Sequence, residues 1–155
     1  MNGIGQSADK RVGLYYQQTA DIVINETNWT PIGTSDNYFS GNYDGGGFTI
    51  SGINIDSTND YQGLFGSVRG TKNEHYGLIQ NIVLDNSSIK GGANTGGIVG
   101  RLGGGHIKNC HVRSSVTVTG TSGKGNVGGI VGHFSGGKVS GCTSMANVVK
   151  SKDIT

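Results

Sequence analysis

Gly97 Ile98 Val99 Gly100 occurs earlier as Gly63 Leu64 Phe65 Gly66 and later as Gly129 Ile130 Val131 Gly132, at spacings of 34 and 32 residues. After each quartet come a loop and then a short run of strand character: Leu78 Ile79 Gln80 Asn81 Ile82 Val83 Leu84, then His106 to Val112, then Lys138 to Ser144. An earlier copy, Thr49 to Ile55, keeps the run but has no quartet of its own. A third apolar pulse closes each repeat, at Ile89, at Val116 and Val118, and at Val148. Self-similarity at a period near 30 residues is the mark of a stacked repeat architecture, because one such unit cannot bury its apolar face alone.

Three apolar pulses per period predict three short strands per turn of an all-β solenoid, a parallel β-helix. Each strand should pair with its counterpart one turn away. Aligning the copies predicts three inward columns. The first holds Ile50, Ile79, Ile107 and Val139; the second Ile53, Ile82, Cys110 and Cys142; the third Ile55, Leu84, Val112 and Ser144. Alternation along a strand sends Ile82 and Leu84 inward and Val83 outward.

The composition agrees. Among 155 residues are 30 glycines and 1 proline. Ile and Val together number 27 against 5 Leu, which favours strands and makes a helical bundle very hard to build. Glycine without a Gly-X-Y period excludes collagen, and recurrent Ile/Val clusters argue against a disordered linker. The glycines are expected at corners and in the quartets Gly63, Gly66, Gly97, Gly100, Gly129 and Gly132, where a larger residue would strain the backbone. Asn81 and Asn109 should occupy one corner in successive turns and form a short side-chain ladder that Gly141 interrupts. Cys110 and Cys142 should stack one turn apart as buried thiols. Their parallel Cβ vectors orient the sulfurs poorly for a disulfide.

The expected organisation is one domain. Residues 1–47 form a divergent N-terminal turn or cap, residues 48–150 carry the repeats, and residues 151–155 are a tail. Most aromatic residues precede residue 49, including Tyr15, Tyr16, Trp29, Tyr38, Phe39, Tyr43 and Phe48. They read as a cap over the open core, with a platform for sugar stacking as the alternative. Asp44 and Gly45 are expected in a tight turn. No run of about 18 apolar residues could span a membrane as a helix, and no secretion signal opens the chain. An abrupt start, and an end on a turn without an evident cap, lead us to expect a fragment cut from a longer exported protein.

The quartets, the strands Gly105 His106 Ile107 Lys108 Asn109 Cys110 and Gly137 Lys138 Val139 Ser140 Gly141 Cys142, and the lead-in from Trp29 to Ile53 resemble the GLUG repeat family. That resemblance covers roughly residues 20 to 150. It implies a right-handed parallel β-helix in bacterial adhesin-like, secreted or wall-attached proteins, including the stalks of some IgA peptidases. The implied function is a non-enzymatic stalk or adhesive surface for host or matrix glycans or proteins. Its contacts would include neighbouring repeats of the parent chain.

No catalytic, metal or cofactor site is expected. His75, His106, His111 and His133 lack zinc-site spacing. Gly120 to Gly125 misses the residues of a phosphate loop, and Thr117 and Thr119 form only one of the threonine pairs that an ice-binding face would repeat. The rival reading is a polysaccharide lyase or glycoside hydrolase, or the spacer of a surface protease. An enzyme would need stacked acids, and the nearest approach is Asp56 with Asp85, each following the third column. Charge is divided along the chain, with 2 basic and 7 acidic groups in residues 1–62 and 10 basic and 3 acidic in residues 63–155. If the chain binds a ligand directly, a sulfated or acidic glycan is expected, held through Arg101, His106, Lys108, Arg113 and Lys138; the alternative is that these charges keep a strand-rich rod soluble and blunt its edges. The same dipole could favour end-to-end self-association. Neither nucleic acid nor membrane insertion is expected.

Overall fold

A computed structural model describes residues 14–70 and 76–151. His75 and residues 1–13 and 152–155 of the expected cap and tail lie outside them. The described residues are all strand and connection, with no helix.

The chain makes about four full turns, which set out five successive coils. The first carries β1 (Tyr15–Gln17) and β2 (Ile22–Val23). The second carries β3 (Asn42–Asp44), β4 (Thr49–Ser51), β5 (Asn54–Asp56) and β6 (Phe65–Val68). Then come β7 (Leu78–Gln80), β8 (Val83–Asp85), β9 (Ser88–Gly91) and β10 (Thr95–Gly96). They lead into β11 (Val99–Lys108), β12 (His111–Val112), β13 (Thr117–Gly120) and β14 (Val127–Gly128). The chain closes with β15 (Val131–Ser140), β16 (Thr143–Ser144) and β17 (Asn147–Lys150).

Every ladder among these strands is parallel and joins counterparts in adjacent coils. One stack runs β1-β3-β7-β11-β15, a second β2-β4-β8-β12-β16 and a third β5-β9-β13-β17. These are the three expected strands per turn. A two-residue ladder, β10 on β14, adds a fourth short side. The quartets begin the long strands β11 and β15. The loop expected after each quartet is absent there, because β11 and β15 run on through register shifts near Leu102, Gly103 and His106 into the next stack. In the earlier copy, β6 and β7 remain separate strands, and both pair with β11.

The observed columns correct the alignment of the first copy. Tyr16, Tyr43, Ile79, Ile107 and Val139 form one column, so Tyr43, not Ile50, belongs with Ile79. Ile50 stacks instead with Ile22, Leu84, Val112 and Ser144. Ile55 stacks with Ile89, Val118 and Val148. Ile53 lies against Ser87, whose Oγ accepts its N–H at 3.1 Å. Thr49–Ile55 and Leu78–Leu84 share the same apolar spacing, so the pattern alone matches them one strand out of step. The corner Gly45–Gly47 also adds two residues between Tyr43 and Thr49 that the next coil lacks.

Two further columns line the quartet side. Ile32, Phe65, Val99 and Val131 form one; Phe39, Val68, Leu102 and Phe134 form the other. The aromatic residues before position 49 are thus divided. Trp29, Phe39 and Tyr43 are core, with Phe39 4.9 Å and Tyr43 5.8 Å from the Phe65 ring. Tyr15 and Phe48 stay exposed. Residues 14–47 contribute β1, β2 and β3 to the same stacks as the later coils.

The quartet glycines are also explained differently from expectation. None of the six has a positive φ. A Cβ on Gly100 would stand 2.7 Å from the Gly66 carbonyl oxygen and 2.8 Å from that of Asn94. A Cβ on Gly97 would collide with the carbonyl oxygen of Gly129. These glycines permit close approach of backbone from neighbouring coils and loops. Left-handed backbone occurs at the next corner, at Asn81 (φ 58°), Asn109 (φ 50°) and Gly141 (φ 63°).

Candidate functional site

The basic residues expected to share one face are separated by the winding. His106 and Lys138 are neighbours across β11 and β15, with Lys108 beside Ser140. Lys108 and Lys138 are exposed, while His106 is buried with its Nε2 2.6 Å from Ser140 Oγ. Arg113 lies near another corner, where its guanidinium donates to Asp85 at 2.8 Å. Arg101 belongs to the quartet side, and its guanidinium stands 5.9 Å from the Tyr61 ring centroid. Only Lys108, His106 and Lys138 share a strip.

The acid pair required by the enzymatic reading does not form a column. Asp85 is opposite Ser51 and Asp56 is opposite Lys90, on different stacks. Asp56 lies 3.4 Å from Lys90 Nζ. Hydrogen bonds from Ser115 and Arg113 hold the Asp85 carboxyl below its ordinary range.

The corner residues act structurally. Asn81 donates to Asp44 Oδ1 at 3.0 Å, and the backbone links Asn81 N–H to Lys108 O and Asn109 N–H to Ser140 O. The coils are therefore tied here by main chain and by the Asp44 side chain. Burial pushes the Asp44 carboxyl up, but hydrogen bonds from Asn81, the Gly46 N–H and Tyr15 bring it below the usual value. Cys110 and Cys142 are free, with the Cys110 N–H 3.4 Å from Cys142 Sγ. They stack one coil apart, but only Cys110 is buried, Cys142 in the last coil being half-buried. The Cys142 side chain raises the Cys110 thiol, with burial adding to the effect, and contact with Cys110 lowers that of Cys142.

A groove that the sequence did not single out lies between the loop after β2 and the loop joining β5 to β6. It encloses about 320 Å³, with Asn28, Trp29, Pro31, Thr34 and Ser35 on one wall and Asn59, Asp60, Tyr61 and Gln62 on the other. Trp29 is held from both ends: its backbone N–H donates to Asn54 O at 2.7 Å and its indole Nε1–H to Leu64 O at 3.2 Å. The other wall is anchored to the next coil. Asp60 Oδ1 accepts the Ala93 N–H at 2.7 Å, and the Tyr61 N–H donates to Ala93 O at 2.9 Å. Gln62 turns its amide inward to donate to Asp60 O at 2.9 Å.

Tyr61 has φ 58°, the left-handed region that a bulky side chain seldom enters. Gln62 bridges Thr95, and Thr95 pairs with Val127, so the residues preceding them, Tyr61, Asn94 and Asn126, correspond. Asn94 adopts the same conformation at φ 61° and accepts a hydrogen bond from Asn126 Nδ2 at 3.2 Å. The available sequence signal was the Asn three residues ahead of the second and third quartets, with Tyr two residues ahead of the first.

Residues 91–121 match the family described as the GLUG motif. That stretch contains β10 to β13 and the quartet Gly97–Gly100, so the family unit is one coil. The chain thus carries the GLUG motif that its quartets resemble. Over 120 residues it is 36% identical to halomucin of Haloquadratum walsbyi, covering 69% of this chain and 1% of the relative. The chain spans about one hundredth of that relative's length. A solved Bacteroides ovatus protein, whose name suggests an immunoglobulin A1 protease, is similar over 90% of this chain and 62% of its own, at 20% identity and a TM-score of 0.49.

Proposed function

We propose that this GLUG-repeat chain is a non-catalytic segment of an exported surface protein, serving as a stiff stalk whose outer strips and loops meet ligands. The observation that carries this reading is the parallel pairing of each strand with its counterpart from coil to coil. A ladder of backbone hydrogen bonds along one axis gives a rod, and each apolar column adds burial with every coil. The likeness to a stretch making up 1% of halomucin supports it, because such a segment there is a small part of a much longer chain. Asp56 and Asp85, each engaged with a cation, are used as structural acids.

Contact with neighbouring repeats would fall to the last coil. Phe134, Val139 and Val148 are 52%, 39% and 44% exposed, in register with the buried Leu102, Ile107 and Val118. Polyanion contact would rest on Lys108 and Lys138. Solvent-exposed charge pairs are each worth about 0 to 1 kcal/mol, so two lysines make a weak anchor. The reading is tested on cells that make the parent protein. Antibodies against this chain should label intact cells, and surface proteolysis should remove the label. Confinement of the parent protein to the interior of the cell would overturn it.

A further inference from the structure

The groove between the first two coils has the makings of a ligand site distinct from the basic strip. Its volume of about 320 Å³ is at the small end of ligand pockets. The buried ring of Trp29 lies on one side and the half-buried ring of Tyr61 on the other, with amide, hydroxyl and carboxylate groups between them. Neither Lys nor Arg lines it, and Asp60 brings a carboxylate. That chemistry disfavours an anion, and the density of polar groups disfavours a purely apolar ligand. A neutral polyhydroxylated ring matches both sides, with its C–H face on an aromatic ring and its hydroxyls on amides and a carboxylate.

Tyr61 is the independent observation. The next coil places Asn94 at this position in the same left-handed backbone, φ 61°, where Asn is at ease, and the coil after it has Asn126 there without a positive φ. Tyrosine there accepts a conformation unfavourable to a bulky side chain and in exchange sets a ring at the rim of the groove. The guanidinium of Arg101, 5.9 Å from the ring centroid, helps to hold it. Strain of this kind, at a position where the repeat has a relaxed alternative, points to use of the side chain.

We propose that this groove binds a neutral pyranose unit of a glycan, with Tyr61 as the stacking platform and Asn59 and Asp60 as hydrogen-bonding partners of the ring hydroxyls. The proposal deepens the surface-module reading by naming a ligand class, and it is tested on the isolated chain. Trp29 fluorescence and backbone amide shifts are followed while the protein is titrated with methyl glucoside, galactoside, mannoside and N-acetylglucosaminide and their neutral disaccharides. A heparin disaccharide serves as the charged comparison. At least one neutral sugar should give saturable shifts confined to residues 28–35 and 57–62.

Tyr61→Asn installs the residue the next coils use, so it should fold with an unchanged circular dichroism spectrum. It should bind about tenfold more weakly, a loss of about 1.4 kcal/mol. Tyr61→Phe should bind within about threefold of the parent, as the same logarithmic relation sets the scale. Absence of any neutral-sugar response at millimolar concentration overturns the proposal, as does equal binding by a folded Tyr61→Asn variant or a preference for the heparin disaccharide. Surface labelling of cells is unaffected by any of these results, so the two readings can fail separately.

Discussion

At the scale of single residues, glycine has two separate jobs in this chain. The quartet glycines admit neighbouring carbonyl groups where a methyl group would intrude, whereas Gly141 supplies a left-handed corner that Asn81 and Asn109 supply elsewhere. The distinction is testable. Gly100→Ala forces a Cβ to within 2.7 Å of the backbone on two sides. It should destabilise the protein by about 1 to 3 kcal/mol, the range for overpacking. At Gly103 a methyl group would meet no atom nearer than 3.4 Å, and the backbone has no positive φ. Gly103→Ala should change stability by no more than about 0.5 kcal/mol. Urea denaturation of the two variants measures the contrast, and equal losses would remove close approach as the reason for the quartet. The left-handed Asn corner could be placed from sequence because Asn carries its own conformational preference. A carbonyl arriving from another coil leaves no such mark on the glycine it faces.

At the scale of the element, short strands are secured at their corners by acids. Asp44 ends β3 and receives hydrogen bonds from Tyr15, Gly46 N–H and Asn81, thus joining three coils. Asp85 ends β8 and receives them from Ser115 and Arg113. Both carboxyls are held below their ordinary value in the folded chain. A group with a lowered folded pKa stabilises the fold above its unfolded pKa and loses that contribution as pH falls through the folded one. Melting temperature should therefore decline as pH falls below about 4, the unfolded carboxylate range. Asp85→Asn should melt lower at neutral pH and show a shallower decline, as thermal melts at successive pH values would reveal. An unchanged slope would mean that other carboxylates carry the dependence. Strand existence was legible from alternation. The register of β4 was not, because two runs with the same spacing compete until the length of the Gly45–Gly47 corner decides between them.

At the scale of the whole molecule, stability should be graded along the axis. Inner coils are covered on both sides, and Leu84, Ile89 and Leu102 are fully buried. The last coil has one neighbour, and Val148 is 44% exposed. In a stacked repeat each unit depends on its own stability and on its nearest interfaces. Leu84→Ala should cost about 2 to 5 kcal/mol. Val148→Ala should cost under about 1 kcal/mol, since little of its surface leaves water on folding. Amide hydrogen exchange should show β16 and β17 opening before β8 and β9, and uniform protection across the coils would contradict the gradient. The charge dipole between the halves of the chain was legible from composition, but the basic residues do not form one surface. Their spacing along the chain sends Arg101, Arg113 and Lys108 to different sides of the coil.

The period, the all-strand class, the parallel stacking and most inward positions follow from the order of residues, because alternation and recurrence are local information repeated in every coil. Folding in three dimensions settled which strand of the first copy pairs with which, why the quartet is glycine, and that Trp29 and Tyr61 share a groove. Each of these depends on corner lengths and on backbone from another coil, a relation between distant segments that no single stretch of residues contains.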